Sequence, residues 1–284
     1  MPSASQRVPM PHSKNQILSR ICPRDYQLLV PHLRLVNLEQ GRVIADSRGQ
    51  VSTVFFPHGG ILSCLVELND GSSIETGMIG SDGVFGAMQA IDDRPSLGKV
   101  IVQVPDKASV MDASHVRNVA NSSPAFRSLI VKYEQFLLGQ LQQTTACNAL
   151  HNIEARTCKW LVRMYDLAGT DLPLTQEFLA QMMGVRRTSV STVAGQLQAE
   201  GLIEYRRGRL RIRNIEAVKF RACECADAVR QQYAEAFGKA DETPAGPSSR
   251  SGNLIAVQSG QDARVESEGR SIPEHRAGIR SDLV

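Results

Sequence analysis

Between Asp171 and Asn214 the sequence holds seven arginines, no lysine and four acids. A guanidinium bonds phosphate oxygens and guanine edges as a planar fork. This local excess of positive charge is therefore a footprint for a polyanion. Arg186 and Arg187 stand directly before Thr188, Ser189, Ser191 and Thr192. An arginine and short hydroxyls at a helix start suit a helix pushed into a major groove, where the arginine reads a guanine and the hydroxyls bond phosphate or base. Arg206, Arg207 and Arg209 surround Gly208 and suit a wing against the flanking phosphates. These nine residues are the candidate contacts to double-stranded DNA.

Such contacts need a scaffold, and the neighbouring sequence supplies one. Thr175 can cap a helix over Gln176–Met183, and Gly184 permits a tight turn. Arg187–Ala199 then reads as a second helix with Val190, Val193 and Leu197 on its buried side. Leu202–Arg206 and Leu210–Arg213 alternate about a short turn, predicting a β-hairpin. Asn152 caps an earlier helix, Ile153 to Leu167, which Gly169 stops. Ile215 to Phe237 reads as one final helix. Together, 152–237 is expected to be a winged helix-turn-helix domain.

Upstream, residues 15–35 look mostly helical, interrupted at Pro23 and Pro31. From Leu38 to Met111 short apolar runs alternate with turn residues, and Asn69-Asp70-Gly71 is a hairpin signal between two of them. Many short strands at this spacing predict a small antiparallel β-barrel or jelly roll over 15–120. Ser122-Ser123-Pro124 then opens a helix that runs to about His151. A helix of some 28 residues is ~42 Å long and outruns a small barrel. Its stripe Phe126, Ile130, Tyr133, Leu137 fits a two-helix seam, so 121–151 is expected to hold a homodimer. Residues 1–14 read as a flexible arm, and 238–284, rich in Ser, Gly, Pro and charge, as a disordered tail. The fold class expected is α+β.

The residues Asn152-Ile153-Glu154-Ala155-Arg156, Leu174-Thr175-Gln176-Glu177-Phe178-Leu179-Ala180, Gly184-Val185-Arg186-Arg187-Thr188 and Gly201-Leu202-Ile203 resemble the DNA-binding domain of the cyclic-AMP receptor protein/Fnr superfamily. The barrel and long helix match the same family in order and size, so the resemblance spans about 15–235. It implies a transcription regulator, a dimer on inverted-repeat sites, a cyclic-nucleotide-binding-like barrel and contact with RNA polymerase. It also implies that Arg187 reads a guanine. Thr188 and Thr192 stand where the family often has a glutamate and a second arginine, which implies a different operator.

The family's nucleotide cassette is not legible here. Ala87 stands where a glutamate would hold the ribose, and Leu97-Gly98 where Arg-Ser or Arg-Thr would hold the phosphate. Arg94 lies three residues early and Lys99 two residues late. No response to cyclic AMP is expected, no cofactor is predicted, and the effector is unknown. Cys22 alone lies near the N-terminus, too few for an iron–sulfur centre. His58, Cys64 and His115 are only nominal haem ligands. Cys223 and Cys225, read as i and i+2 of one helix, point apart, so no metal is expected. No apolar run reaches the roughly 18–20 residues that span a bilayer, and a cytoplasmic protein is expected. Two other functions fit the sequence less well. A ligand-sensing module, cyclic nucleotide or other, would leave the winged helix without a use. An enzyme would need a motif such as a nucleophile elbow, HExxH or a phosphate loop, and none is visible.

Overall fold

Asn15 opens the first helix, its Oδ1 accepting from the amides of Ile17 and Leu18 while its Nδ2 donates to the carbonyls of Pro57 and Gly83. In this computed structural model residues 14–238 are described. The arm and tail expected at 1–14 and 238–284 lie, save their innermost residue, outside them. Helix α1 (Gln16–Arg20) leads to α2 (Pro23–Leu29) and a 3-10 turn at Val30–His32. Pro23 thus starts a helix at its first position, where no amide hydrogen is needed. The expected helical stretch ends early, because Arg34 and Leu35 already belong to a strand.

Seven strands follow: β1 (Arg34–Leu38), β2 (Val43–Ala45), β3 (Thr53–Pro57), β4 (Ile61–Glu67), β5 (Ser73–Ile79), β6 (Lys99–Val104) and β7 (Asp106–Asp112). They form two antiparallel sheets, β1-β7-β3 and β2-β6-β4-β5. Phe55, Leu62, Ile79, Phe85, Val102 and Val110 fill the space between them. The jelly-roll expectation is met. Gly71 takes φ 83° in the β4–β5 turn, and Asp70 accepts from the Ser72 amide and hydroxyl. Two helices escape the alternation pattern: α3 (Ala87–Asp92) between β5 and β6, and α4 (Ala113–Ser122) after β7.

The long helix α5 (Pro124–Leu150) starts on the Ser123 cap, as expected. Its apolar stripe behaves otherwise. Phe126, Ile130 and Tyr133 are at most 1% exposed, packed against α1, α2, α4 and the jelly roll of their own chain. The seam predicted through them is therefore an internal packing face. Gln140, which makes the stripe polar, is buried because its Oε1 accepts the Met78 amide of β5 at 2.8 Å.

The remaining elements are α6 (Ile153–Ala168), β8 (Asp171–Leu172), α7 (Gln176–Met183), α8 (Arg187–Ala199), β9 (Ile203–Arg206), β10 (Arg209–Ile212), α9 (Ile215–Arg221) and α10 (Cys225–Phe237). The last two replace the single helix expected over 215–237. The chain leaves helical geometry at Ala222, with ψ 151°, and Cys223 lies in the break. The core of α6–α9, including Leu161, Leu179, Val190, Leu197 and Ile212, continues into Ile61, Leu65 and Met78 of the jelly roll. Among the described residues no helix is long and apolar enough to cross a membrane.

Candidate nucleic-acid interface

Helix α7 begins where the Thr175 hydroxyl accepts the Phe178 amide, and ends at Gly184 with φ 62°. Only a left-handed residue closes this turn, and glycine meets no Cβ penalty there. A Cβ at Gly184 would also lie 2.8 Å from the side-chain tip of Ile74 in β5, which would have to shift to admit it. Arg156 of α6 donates to the last carbonyl of α7, Met183 O, at 2.8 Å. The turn is thereby held from both sides, which fixes the direction in which α8 leaves.

Helix α8 buries Val190, Val193, Ala194 and Leu197 and turns the other side outward. Of the predicted contacts, Arg186, Arg187, Thr188 and Thr192 are exposed, while Ser189 and Ser191 are half-buried. Arg187 Nε lies 3.5 Å from Glu177 Oε2, and both side chains are largely in solvent. Exposed pairs of this kind contribute about 0–1 kcal/mol, so a phosphate or base edge can displace the glutamate at little cost. Ser191 is already engaged, donating to Gln176 Oε1 at 2.7 Å, and Thr192 donates to the Thr188 carbonyl at 3.0 Å. The first links α8 to α7; the second is intrahelical.

Strands β9 and β10 pair in register Arg209↔Arg206, leaving the two-residue turn Arg207-Gly208. Both turn residues have positive φ, 50° and 76°, as a twisted two-residue hairpin requires. This geometry throws Arg206, Arg207 and Arg209 outward, and all three are exposed. Arg211 is held differently: its guanidinium donates to both carboxylate oxygens of Asp171 at 2.7 and 3.2 Å, tying β10 to β8. Arg213 Nε lies 3.6 Å from Glu204 Oε2. Two of the seven clustered arginines therefore brace the wing, and the charge available to a polyanion sits at its tip and on α8.

Sequence reasoning missed the link between this domain and the jelly roll. Gln181 Nε2 donates to Ser73 Oγ at 2.9 Å, beside the Gly184–Ile74 approach. Trp160 Nε1 of α6 donates to Glu75 Oε1 of β5 at 2.8 Å, and Ser63 donates to the other oxygen. Burial pushes the Glu75 carboxyl up to about 7, although these donors oppose the rise. A lone Glu at the end of a hairpin strand carries no signal that a tryptophan some eighty residues on will cover it.

The cassette positions can also be placed. Ala87 is fully buried at the start of α3, and Leu97 is 92% exposed. Arg94 is exposed, and Lys99 Nζ pairs with Glu67 Oε1 at 2.9 Å. Two of the three nominal haem ligands have neighbours of their own: His58 Nε2 is 2.7 Å from Ser109 Oγ, and His115 stacks on His32 at 3.6 Å, while Cys64 is a half-buried free thiol of β4.

Residues 155–220 match the Crp-like helix-turn-helix domain. No curated protein matches the chain. Among solved structures, FixK2 from Bradyrhizobium japonicum superposes with TM-score 0.57 at 13% identity, covering 67% of this chain and 98% of that one. A putative crp/fnr-family regulator from Eubacterium rectale gives 0.56 at 14% identity, covering 74% and 98%. A CRP-family transcriptional regulator from Thermus thermophilus gives 0.56 at 17%, covering 66% and 96%. At such identities the likeness concerns the fold. Residues 155–220 form a Crp-like helix-turn-helix domain, and they stand in a chain with the fold of the Crp/Fnr transcription regulators.

Proposed function

We propose that the protein is a sequence-specific DNA-binding transcription regulator, acting in the cytoplasm as a homodimer on inverted-repeat sites and contacting RNA polymerase. The observation that carries this reading is the outward face of α8, with Arg187, Thr188 and Thr192, flanked by the arginine tip of the β9–β10 wing. Helix and wing each carry exposed arginines, the pairing of elements that engages groove and phosphates together.

The dimer reading rests on a different stripe from the one the sequence suggested. Ser128, Val131, Gln135, Leu138, Gln142 and Thr145 recur three and four residues apart along α5, and all six are exposed. The two apolar members stand well into solvent, Val131 at 47% and Leu138 at 55%. The spacing is that of the a and d positions of a two-helix seam, and Val131 and Leu138 are the apolar residues that would meet across it. Cyclic AMP is not the effector in this account, and no cofactor is required for binding DNA. Ala87 is buried and uncharged, Leu97 stands in solvent and Lys99 is paired to Glu67, so none of these three positions offers a free charge to a ribose or a phosphate. Calorimetry with cyclic AMP should give no stoichiometric complex; a micromolar one contradicts this point.

A gel-shift titration against genomic fragments with excess competitor DNA tests the whole reading. Discrete complexes that survive the competitor are expected. Retardation abolished equally for every fragment would leave only a non-specific cation surface.

A further inference from the structure

The break between α9 and α10 has a chemical consequence. It places Cys223 in the linker and Cys225 at the first position of α10, so the two thiols need not point apart as they would within one helix. Opposite them stand Cys147, in the last turn of α5, and His151, the residue that ends it. Cys147 Sγ is 3.5 Å from Cys223 Sγ, and Cys225 Sγ is 3.5 Å from His151 Nδ1. All four ligand atoms lie within 4.8 Å of one another. With Zn–S near 2.3 Å and Zn–N near 2.0–2.1 Å, a tetrahedral zinc site has S···S edges of about 3.8 Å and S···N edges of about 3.6 Å.

Two surrounding contacts fit the same chemistry. His151 Nε2, the nitrogen facing away from the cluster, is 3.2 Å from Glu224 Oε1. A carboxylate on the far nitrogen fixes the ring and raises the basicity of a metal-bound imidazole. Gln143 Nε2 donates to Cys225 Sγ at 3.1 Å, a bond that favours a thiolate. The three cysteines are buried, at 1–8% exposure, and the histidine half-buried.

We propose that Cys147, His151, Cys223 and Cys225 bind one Zn2+ ion. This departs from the expectation of no metal, which rested on an unbroken helix. Three thiolates and an imidazole in a tetrahedral set select zinc over oxygen-seeking cations. Four protein ligands leave no open position, so the ion is structural, and binding releases the three thiol protons to solvent. The site joins the C-terminus of α5 to the α9–α10 corner across the Asn152 hinge. Its occupancy therefore holds the α9–α10 corner, at the C-terminal end of the helix-turn-helix domain, to the long helix. A Cys147–Cys223 disulfide is the rival use of two of these thiols, but it gives no role to Cys225, His151 or Glu224.

The test uses the full chain, purified with reductant and without chelator. Plasma mass spectrometry should find one zinc per chain, released when the thiols are alkylated. Cys147→Ser and Cys225→Ser should each weaken Zn2+ binding at least tenfold, and Glu224→Gln about tenfold or more; Cys22→Ser and Cys64→Ser should leave it unchanged. Because ligand variants can misfold, the wild-type protein is also titrated with Co2+ after zinc removal. The intense visible bands of a tetrahedral thiolate site are expected. Reduced wild type that takes up neither Zn2+ nor Co2+, or metal retained equally in Cys147→Ser and Cys225→Ser, overturns the proposal, as does a chain that carries iron and sulfide instead.

Discussion

Arg163 Nη1 of α6 stands 2.7 Å from Asp82 Oδ2, in the loop between β5 and α3, with side chains only 16% and 8% exposed. The pair joins the first helix of the DNA-binding domain to the jelly roll inside a water-poor contact. Removing one partner of a buried pair strands the other charge, at a cost of about 3–5 kcal/mol. Asp82→Ala should lower unfolding free energy by about that amount in urea titration, and Arg163→Met with Asp82→Leu should recover much of it. If Asp82→Ala costs under about 1 kcal/mol, the pair is solvated and does not hold the domains.

Glu75 predicts a pH dependence. Burial raises its carboxyl from the ordinary 4.5 to about 7, so the folded protein holds this proton more tightly than the unfolded chain. The stability this gives is fully present below pH 4.5 and is lost as the pH rises through 7. Glu134, also pushed up to about 7 by burial, acts in the same window. Glu75→Gln should flatten part of the stability–pH curve between those limits, and Glu75→Gln with Glu134→Gln most of it. A wild-type curve that rises with pH across the window would refute the assignment.

The two faces of α5 separate association from folding. Val131→Glu with Leu138→Glu should yield a folded monomer in sedimentation, with weakened operator binding. Ile130→Glu, by contrast, places a charge in the core beside Phe126 and Tyr133 and should unfold the protein. A double variant that stays dimeric at micromolar concentration rules out the outward stripe as the seam.

Helix-turn-helix and wing were legible in the sequence because their signals are local. Thr175 caps, Gly184 and Gly208 turn, and Val190, Val193 and Leu197 repeat at helical spacing within a dozen residues. The long helix was legible in extent but not in orientation. Phe126, Ile130 and Tyr133 make the same stripe whether they meet a second copy or their own jelly roll, and the choice depends on α1, α2 and α4, elements that precede α5 and give the stripe no mark of its own. The α9–α10 break was hidden for a related reason: Ala222-Cys223-Glu224 contains neither glycine nor proline, and no local breaker marks the point where the chain turns.

Wing and recognition helix should differ in what they do to binding. Arg207→Ala or Arg209→Ala takes one cation away from the phosphates. Affinity should fall for every sequence alike, and the slope of log K against log salt should shrink by about one for each arginine replaced. An unchanged slope would mean that the wing tip stands clear of the DNA backbone.

Arg187 carries the central claim, and selection of binding sites from random DNA tests it most directly. A two-fold dimer presents two α8 helices about 34–36 Å apart, so wild type should select an inverted repeat with half-sites one helical turn apart. Arg187→Ala should bind about 1–3 kcal/mol more weakly and lose preference at one guanine in each half-site, all other positions keeping theirs. If the variant selects the same motif at every position and only recovers less DNA, Arg187 does no more than pair with Glu177 and reads no base.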